Sequence, residues 1–148
     1  KADYILTNHS DCQFDAYVFM ISHMQEMLNR RKVDAIFPKR LNRSIGAAVR
    51  TWILQKIIQL LLGGREIKDF NGQPKIFCRK YLPNSLPNDF CLDLAIYLEF
   101  QKSNFNSISL PIIEKDRHTG TSSWGGSKKR QLALMIRYIR YTFKRENL

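Results

Sequence analysis

The chain has 148 residues, with 24 Lys/Arg against 13 Asp/Glu, a net charge of +11 and a pI near 9.8. A hydrophobic content of 44% is enough for a modest core and excludes a disordered tail. The length admits one domain, or a small domain with an extension, and the charge points to acidic partners: RNA, DNA or an anionic membrane surface.

Cys12, Cys78 and Cys91 are widely spaced and form no CxxC pair, and His9, His23 and His118 stand near no cysteine pair. A disulfide scaffold and a closed zinc site are therefore not expected, and a reducing compartment fits best. The longest apolar run, Ile57 to Leu62, is too short to span a bilayer, and the start shows no signal-peptide pattern.

In chain order, Asp11 is placed to cap a first helix running to about Asn29, with Tyr17, Val18, Ile21, Met24 and Leu28 at helical spacing. Asn29-Arg30-Arg31-Lys32 puts cations at its C-terminus, where the helix dipole favours them. Lys39, Arg40 and Arg43 follow in an expected loop around Pro38. A second helix begins near Asn42 or Ser44, takes Ile45, Val49, Trp52, Ile57, Leu60 and Leu61 as its apolar side, and ends at Gly63-Gly64. Trp52 is expected as a core anchor.

Asn71-Gly72 signals a turn, and Lys75 to Tyr81 reads as a short extended segment. Pro83 and Pro87 punctuate a loop. Asp89 to Lys102 is ambiguous: Phe90, Leu92, Leu94, Ile96, Leu98 and Phe100 alternate as in a strand, while Leu, Ala and Glu favour helix. Ile108 to Pro111 reads as extended and Thr119 to Ser127 as a Gly/Ser-rich loop. Ser127 is placed to cap a last helix reaching Arg145, with Leu132, Ile136, Ile139 and Phe143 as its inward stripe. From Lys115 onward there are nine Lys/Arg and two acids, +7 of the total charge. Arg130, Arg137, Arg140, Tyr141, Lys144 and Arg145 fall opposite that stripe. Such a helix suits a polyphosphate partner. Lys128, Lys129 and Arg130 sit at its N-terminus, where the dipole disfavours cations, and they make sense with phosphates nearby.

From Lys75 onward the order of motifs resembles the eighteenth small-subunit ribosomal protein of the bacterial and organellar type. The matching pieces are Phe77-Cys78, the acid-led stretch Asp89-Phe90 through Leu98-Glu99-Phe100, the corner Ile108-Ser109-Leu110-Pro111, and Arg117-His118-Thr119-Gly120. Arg130, Leu132, Ala133, Ile136, Arg137 and Arg140 complete the set on the last helix. The chain differs from the family in Ile112-Ile113-Glu114 after the corner, in the loop carrying Trp124-Gly125-Gly126, and in its Phe143-Lys144-Arg145 ending. Residues 1 to about 70 match nothing in the family. An added basic helical region on a diverged core is common in mitochondrial ribosomal proteins.

The resemblance implies a helix at Asp89 to Lys102. It also implies a small helical RNA-binding domain (71–148) with short extended segments; with the helices that periodicity places in a basic extension (1–70), the expected fold is mainly α. The resemblance further implies a structural, non-enzymatic constituent of the small ribosomal subunit, mitochondrial rather than plastid, with no cofactor, metal, membrane or small-molecule substrate. Its partners would be ribosomal RNA and, by family analogy, the sixth small-subunit protein. The RNA-binding residues so expected are Lys75, Arg79, Lys80, Arg117, Lys128, Lys129, Arg130, Arg137, Arg140, Tyr141, Lys144 and Arg145. The stronger rival is a DNA-binding winged-helix module of replication or transcription. A metal-dependent nuclease built on Asp89, Asp93, Glu99 and Lys102 is disfavoured by spacing, and the apolar stripe of the last helix is narrow for a membrane surface.

Overall fold

The structure, a computed structural model, describes residues 2–9, 15, 18–19, 22–23, 33–102, 105–113 and 127–146. Four strands, β1 (Tyr4–Thr7), β2 (Ala35–Arg40), β3 (Lys75–Cys78) and β4 (Ser107–Ile112), form one sheet in the order β1-β3-β2-β4. β3 runs antiparallel to both β1 and β2, and β4 runs parallel to β2. Helices α1 (Ile45–Leu61), α2 (Leu92–Glu99) and α3 (Lys128–Glu146) complete the described elements, with a 3-10 turn at Arg79–Tyr81.

This is an α/β fold with a mixed sheet, which corrects the expected mainly α architecture. The expected extended piece at Ile108 lies within β4; the one from Lys75 to Tyr81 is a strand only to Cys78 and turns into a 3-10 helix at Arg79–Tyr81, whereas β1 and β2 have no counterpart among the expected elements. Pro38 hides β2, because it reads as a loop residue. Pro38 is tolerated because β3 pairs only with Ala35 and Ile36, so β2 has an open edge on that side from Phe37 onward. Gly72 packs there instead: a Cβ on it would stand 2.6 Å from Pro38 Cγ. Residues 1–70 thus supply the two strands that flank β3, and both parts of the chain share one sheet.

Side-chain alternation sorts the sheet into two faces. Leu6, Ile76, Ile36 and Ile108 lie in register across one face, where Ile36 and Ile76 join Phe19 and Val33 in a small core. Of the predicted first helix, residues 15, 18–19 and 22–23 are described; 18–19 and 22–23 are helical, 15 is not, and Val18 N–H donates to Asp15 Oδ1. On the opposite face, Ala35, Phe37 and Phe77 meet α1, α2 and Tyr138 of α3. Phe37 stacks edge-on against Tyr97, ring centroids 5.0 Å apart.

α2 is a helix although its alternation reads as strand. Leu94 to Leu98 are all buried, so the helix is apolar nearly all round and its sequence carries no clear 3.6-residue stripe. α1 ends where the glycines stand, with Gly63 at φ 65° and Gly64 at φ 90°. Its rotation differs from expectation. Leu54, Ile58 and Leu62 are buried, while Ile45, Trp52 and Leu60 are 84%, 59% and 79% exposed. Trp52 is therefore a surface residue, not a core anchor. The helix carries two apolar stripes, and the sheet buries the one that spacing alone does not select.

The loop from Glu66 to Gly72 is pinned from three sides. Lys68 N–H donates to Tyr97 Oη at 2.8 Å, Tyr138 Oη donates to Asn71 Oδ1 at 3.1 Å, and Phe70 packs edge-on against Tyr138. Burial pushes the Tyr97 hydroxyl up to about 12 and raises that of Tyr138 further, so both stay protonated, Tyr97 accepting from the loop and Tyr138 donating to it.

Candidate nucleic-acid interface

α3 starts where Ser127 can receive it: Arg130 N–H reaches Ser127 Oγ at 3.5 Å and Gln131 N–H donates to Ser127 O at 3.1 Å. Its inward seam is one residue off the expected stripe. Tyr138 and Thr142 are buried, and Leu134, Met135, Ile139 and Tyr141 pack partly against the core. Leu132, Ile136 and Phe143 are exposed. The offset is about 100°, the angle one residue subtends on an α-helix. Polar tips decide it. Tyr138 finds Asn71, Thr142 Oγ1 donates to Tyr138 O at 2.9 Å, and Arg145 finds Glu99.

The cations of α3 divide accordingly. Lys128, Lys129, Arg130, Arg137, Arg140 and Lys144 are exposed. Arg137 stands 3.6 Å from Asp89 in an exposed pair, a weak tether. Among the described residues, Lys128, Lys129, Arg140 and Lys144 make no ion pair. Arg145 is engaged inward: it lies 3.1 Å from Glu99 Oε2 and donates to Ala95 O at 3.3 Å, locking α3 to α2. Tyr141 is half-buried in the seam, so its ring is not a free stacking platform. Exposed Leu132, Ile136 and Phe143 stand among the cations.

The smaller patch also divides. Lys75 is fully buried on the helix-side face of β3, its ammonium 2.5 Å from Asp93 Oδ1. It is a core ion pair and is not offered to a surface phosphate. Gln73 Nε2 donates to the same oxygen at 3.0 Å, and His9 Nε2 lies 3.9 Å from Asp93 Oδ2. Burial raises the Asp93 carboxyl, but His9 and Lys75 outweigh it and hold the group below the usual carboxylate range. Burial also pulls the Lys75 ammonium down, against the pull of Asp93. Arg79 and Lys80 are exposed on the 3-10 turn, with Lys80 Nζ 4.5 Å from the Tyr81 ring centroid, a cation–π contact. Arg117 lies outside the described residues.

The carboxylates of the nuclease reading are dispersed. Asp93 serves Lys75, Asp89 faces Arg137, and Glu99 bridges Arg145 and Lys102. No group of three potential metal ligands occurs among the described residues. Cys78 and Cys91 are buried free thiols, and burial pushes Cys91 up to about 11, which makes it a poor nucleophile at neutral pH.

One cationic site is not legible in the sequence alone. Lys39 and Arg40 end β2 instead of lying in a loop, and with Arg43 and Lys68 they border a cleft of about 520 Å³ against α1. The signal is present as a run of bases around Pro38, but the facing wall comes from residues about 30 positions later. Comparison with family models, curated proteins and solved structures finds no match.

Proposed function

We propose that this chain is a structural RNA-binding protein that lays the outer face of α3 along a folded RNA. The observation that carries this reading is the exposed set Lys128, Lys129, Arg140 and Lys144, on a helix whose inner seam is already satisfied by the core. Arginine can grip a phosphate through two parallel hydrogen bonds, and lysine adds point charges. Arg130 and Arg137 extend the row, and Arg79 and Lys80 form a second, smaller contact.

The small ribosomal subunit, in a mitochondrion, is the specific setting proposed. It rests on the Arg-x-Leu-Ala-x-x-Ile-Arg-x-x-Arg pattern from Arg130 to Arg140. The other end of the motif order, Phe77-Cys78, lies buried in the sheet and lends RNA binding nothing. A neighbouring protein, the sixth of the small subunit by analogy, would cover Leu132, Ile136 and Phe143.

The test is filter binding over a salt series with three ligands: a folded fragment of small-subunit ribosomal RNA, an unrelated structured RNA and a DNA duplex. Preference for the ribosomal fragment, with co-sedimentation on small subunits, is expected. Equal or tighter binding to the duplex would transfer the face to DNA and defeat the ribosomal reading.

A further inference from the structure

The cleft at the end of β2 lies apart from the α3 residues that the proposed function uses. Its floor is the strand end and its walls are α1 and the Glu66–Asp69 loop. On α1, Ala48, Thr51 and Gln55 face it, one side of the helix at three- and four-residue spacing. The walls are fixed. Arg40 grips Asp69 with two hydrogen bonds, Nε to Oδ2 at 2.6 Å and Nη2 to Oδ1 at 2.7 Å. That pair is only 12% exposed on each side and ties the strand end to the loop. Arg43 donates from Nη1 to Thr51 Oγ1, tying the chain before α1 to the helix. Gly72 holds the far end of the loop against Pro38.

Besides the Arg40–Asp69 pair, the lining carries three cations, Lys39, Arg43 and Lys68, and one carboxylate, Glu66. Leu41 and Ile67 add apolar surface, and Gln55 adds an amide that both donates and accepts. The volume falls in the range of small-molecule sites and is far larger than a single phosphate needs. Three cations beside apolar walls, an amide and one carboxylate match a phosphorylated nucleoside. In such a ligand a phosphate would meet Lys39, Arg43 and Lys68, a base would meet Leu41, Ile67 and Gln55, and ribose hydroxyls would meet Glu66.

We infer that this cleft binds a ribonucleoside 5′-phosphate, either free in solution or as one unpaired nucleotide of an RNA strand. Calorimetric titration with each of the four ribonucleoside 5′-monophosphates tests it, beside the matching nucleosides and inorganic phosphate. At least one monophosphate is expected to bind saturably, with its nucleoside and inorganic phosphate each weaker by about tenfold or more, since both halves of the ligand are held. Arg43→Ala and Lys68→Glu should each weaken it by about tenfold, with unchanged circular dichroism. Lys68 is exposed, so Lys68→Glu keeps the test open should Arg43→Ala unfold. The variant R137A/R140A/K144A should bind the monophosphate as the wild type does, which separates this site from the α3 face. A single-stranded oligoribonucleotide that displaces the monophosphate identifies the strand as the source, and one that does not identifies the free nucleotide. Absence of monophosphate binding, inorganic phosphate binding as tightly, or indifference to both substitutions would overturn the inference.

Discussion

Lys75 and Lys144 are the same side chain in opposite circumstances. Lys75 is sealed under the helices with Asp93 at 2.5 Å, while Lys144 stands exposed on α3 and makes no ion pair among the described residues. The same contrast runs within α3, where Arg145 is held by Glu99 and Arg140 is not held by any described acid. A cation buried against a carboxylate serves the fold; an exposed one is available to a partner. Net charge counts both kinds alike, and only the fold separates them.

The contrast is broken most severely by removing Asp93. Asp93→Ala leaves a fully buried ammonium without its counter-charge and is expected to cost about 3 kcal/mol or more in urea unfolding. Lys75→Met should cost clearly less, because Asp93 keeps 23% exposure. Equal, small losses for both would show that the pair is not a core element. Next in size is R137A/R140A/K144A. RNA affinity should fall and the log–log salt slope should flatten by roughly one unit per lost phosphate contact, with stability changed by less than about 0.5 kcal/mol. Arg145→Ala should do the reverse: a loss of about 1 kcal/mol, discounted for its partial exposure, and an unchanged salt slope.

The same pair sets an acid limit. The folded-state carboxyl of Asp93 is depressed, so its contribution is complete above the ordinary carboxylate pKa of about 3.9 and is lost as pH falls through the lower folded value. Stability should therefore hold from neutral pH down to about pH 4 and drop below it. Asp93→Asn should remove that drop, as read from urea midpoints across pH. The smallest effect is expected at Trp52. Trp52→Ala on the outer face of α1 should change stability by less than about 0.5 kcal/mol, where a core tryptophan would cost about 3–5 kcal/mol.

What can be read from the chain is local. Gly63-Gly64 ends α1 because both residues adopt positive φ, Ser127 marks the start of α3, and the chain is extended at Ile108 and, as far as Cys78, at Lys75 as its residues suggest. What cannot be read depends on distant partners. β2 is a strand because Ile76 and Ile108 flank Ile36 from 40 and 72 residues away, against the local preference of Pro38. α1 and α3 each carry two apolar stripes; on α3, Asn71 and Glu99 choose the buried one, not spacing. Lys75 looks like a surface base until Asp93, 18 residues on, reaches it. The cleft beside Arg40 presents the same difficulty, since the Arg40–Asp69 pair ties its strand end to a loop 29 residues further on.

The outer face of α3 is tested most directly by the salt dependence of binding to a folded small-subunit ribosomal RNA fragment, wild type against R137A/R140A/K144A. The expected result is weaker binding with a slope shallower by roughly two to three units. An identical slope in both proteins would show that these side chains meet no phosphate and would contradict an RNA-binding role for this face.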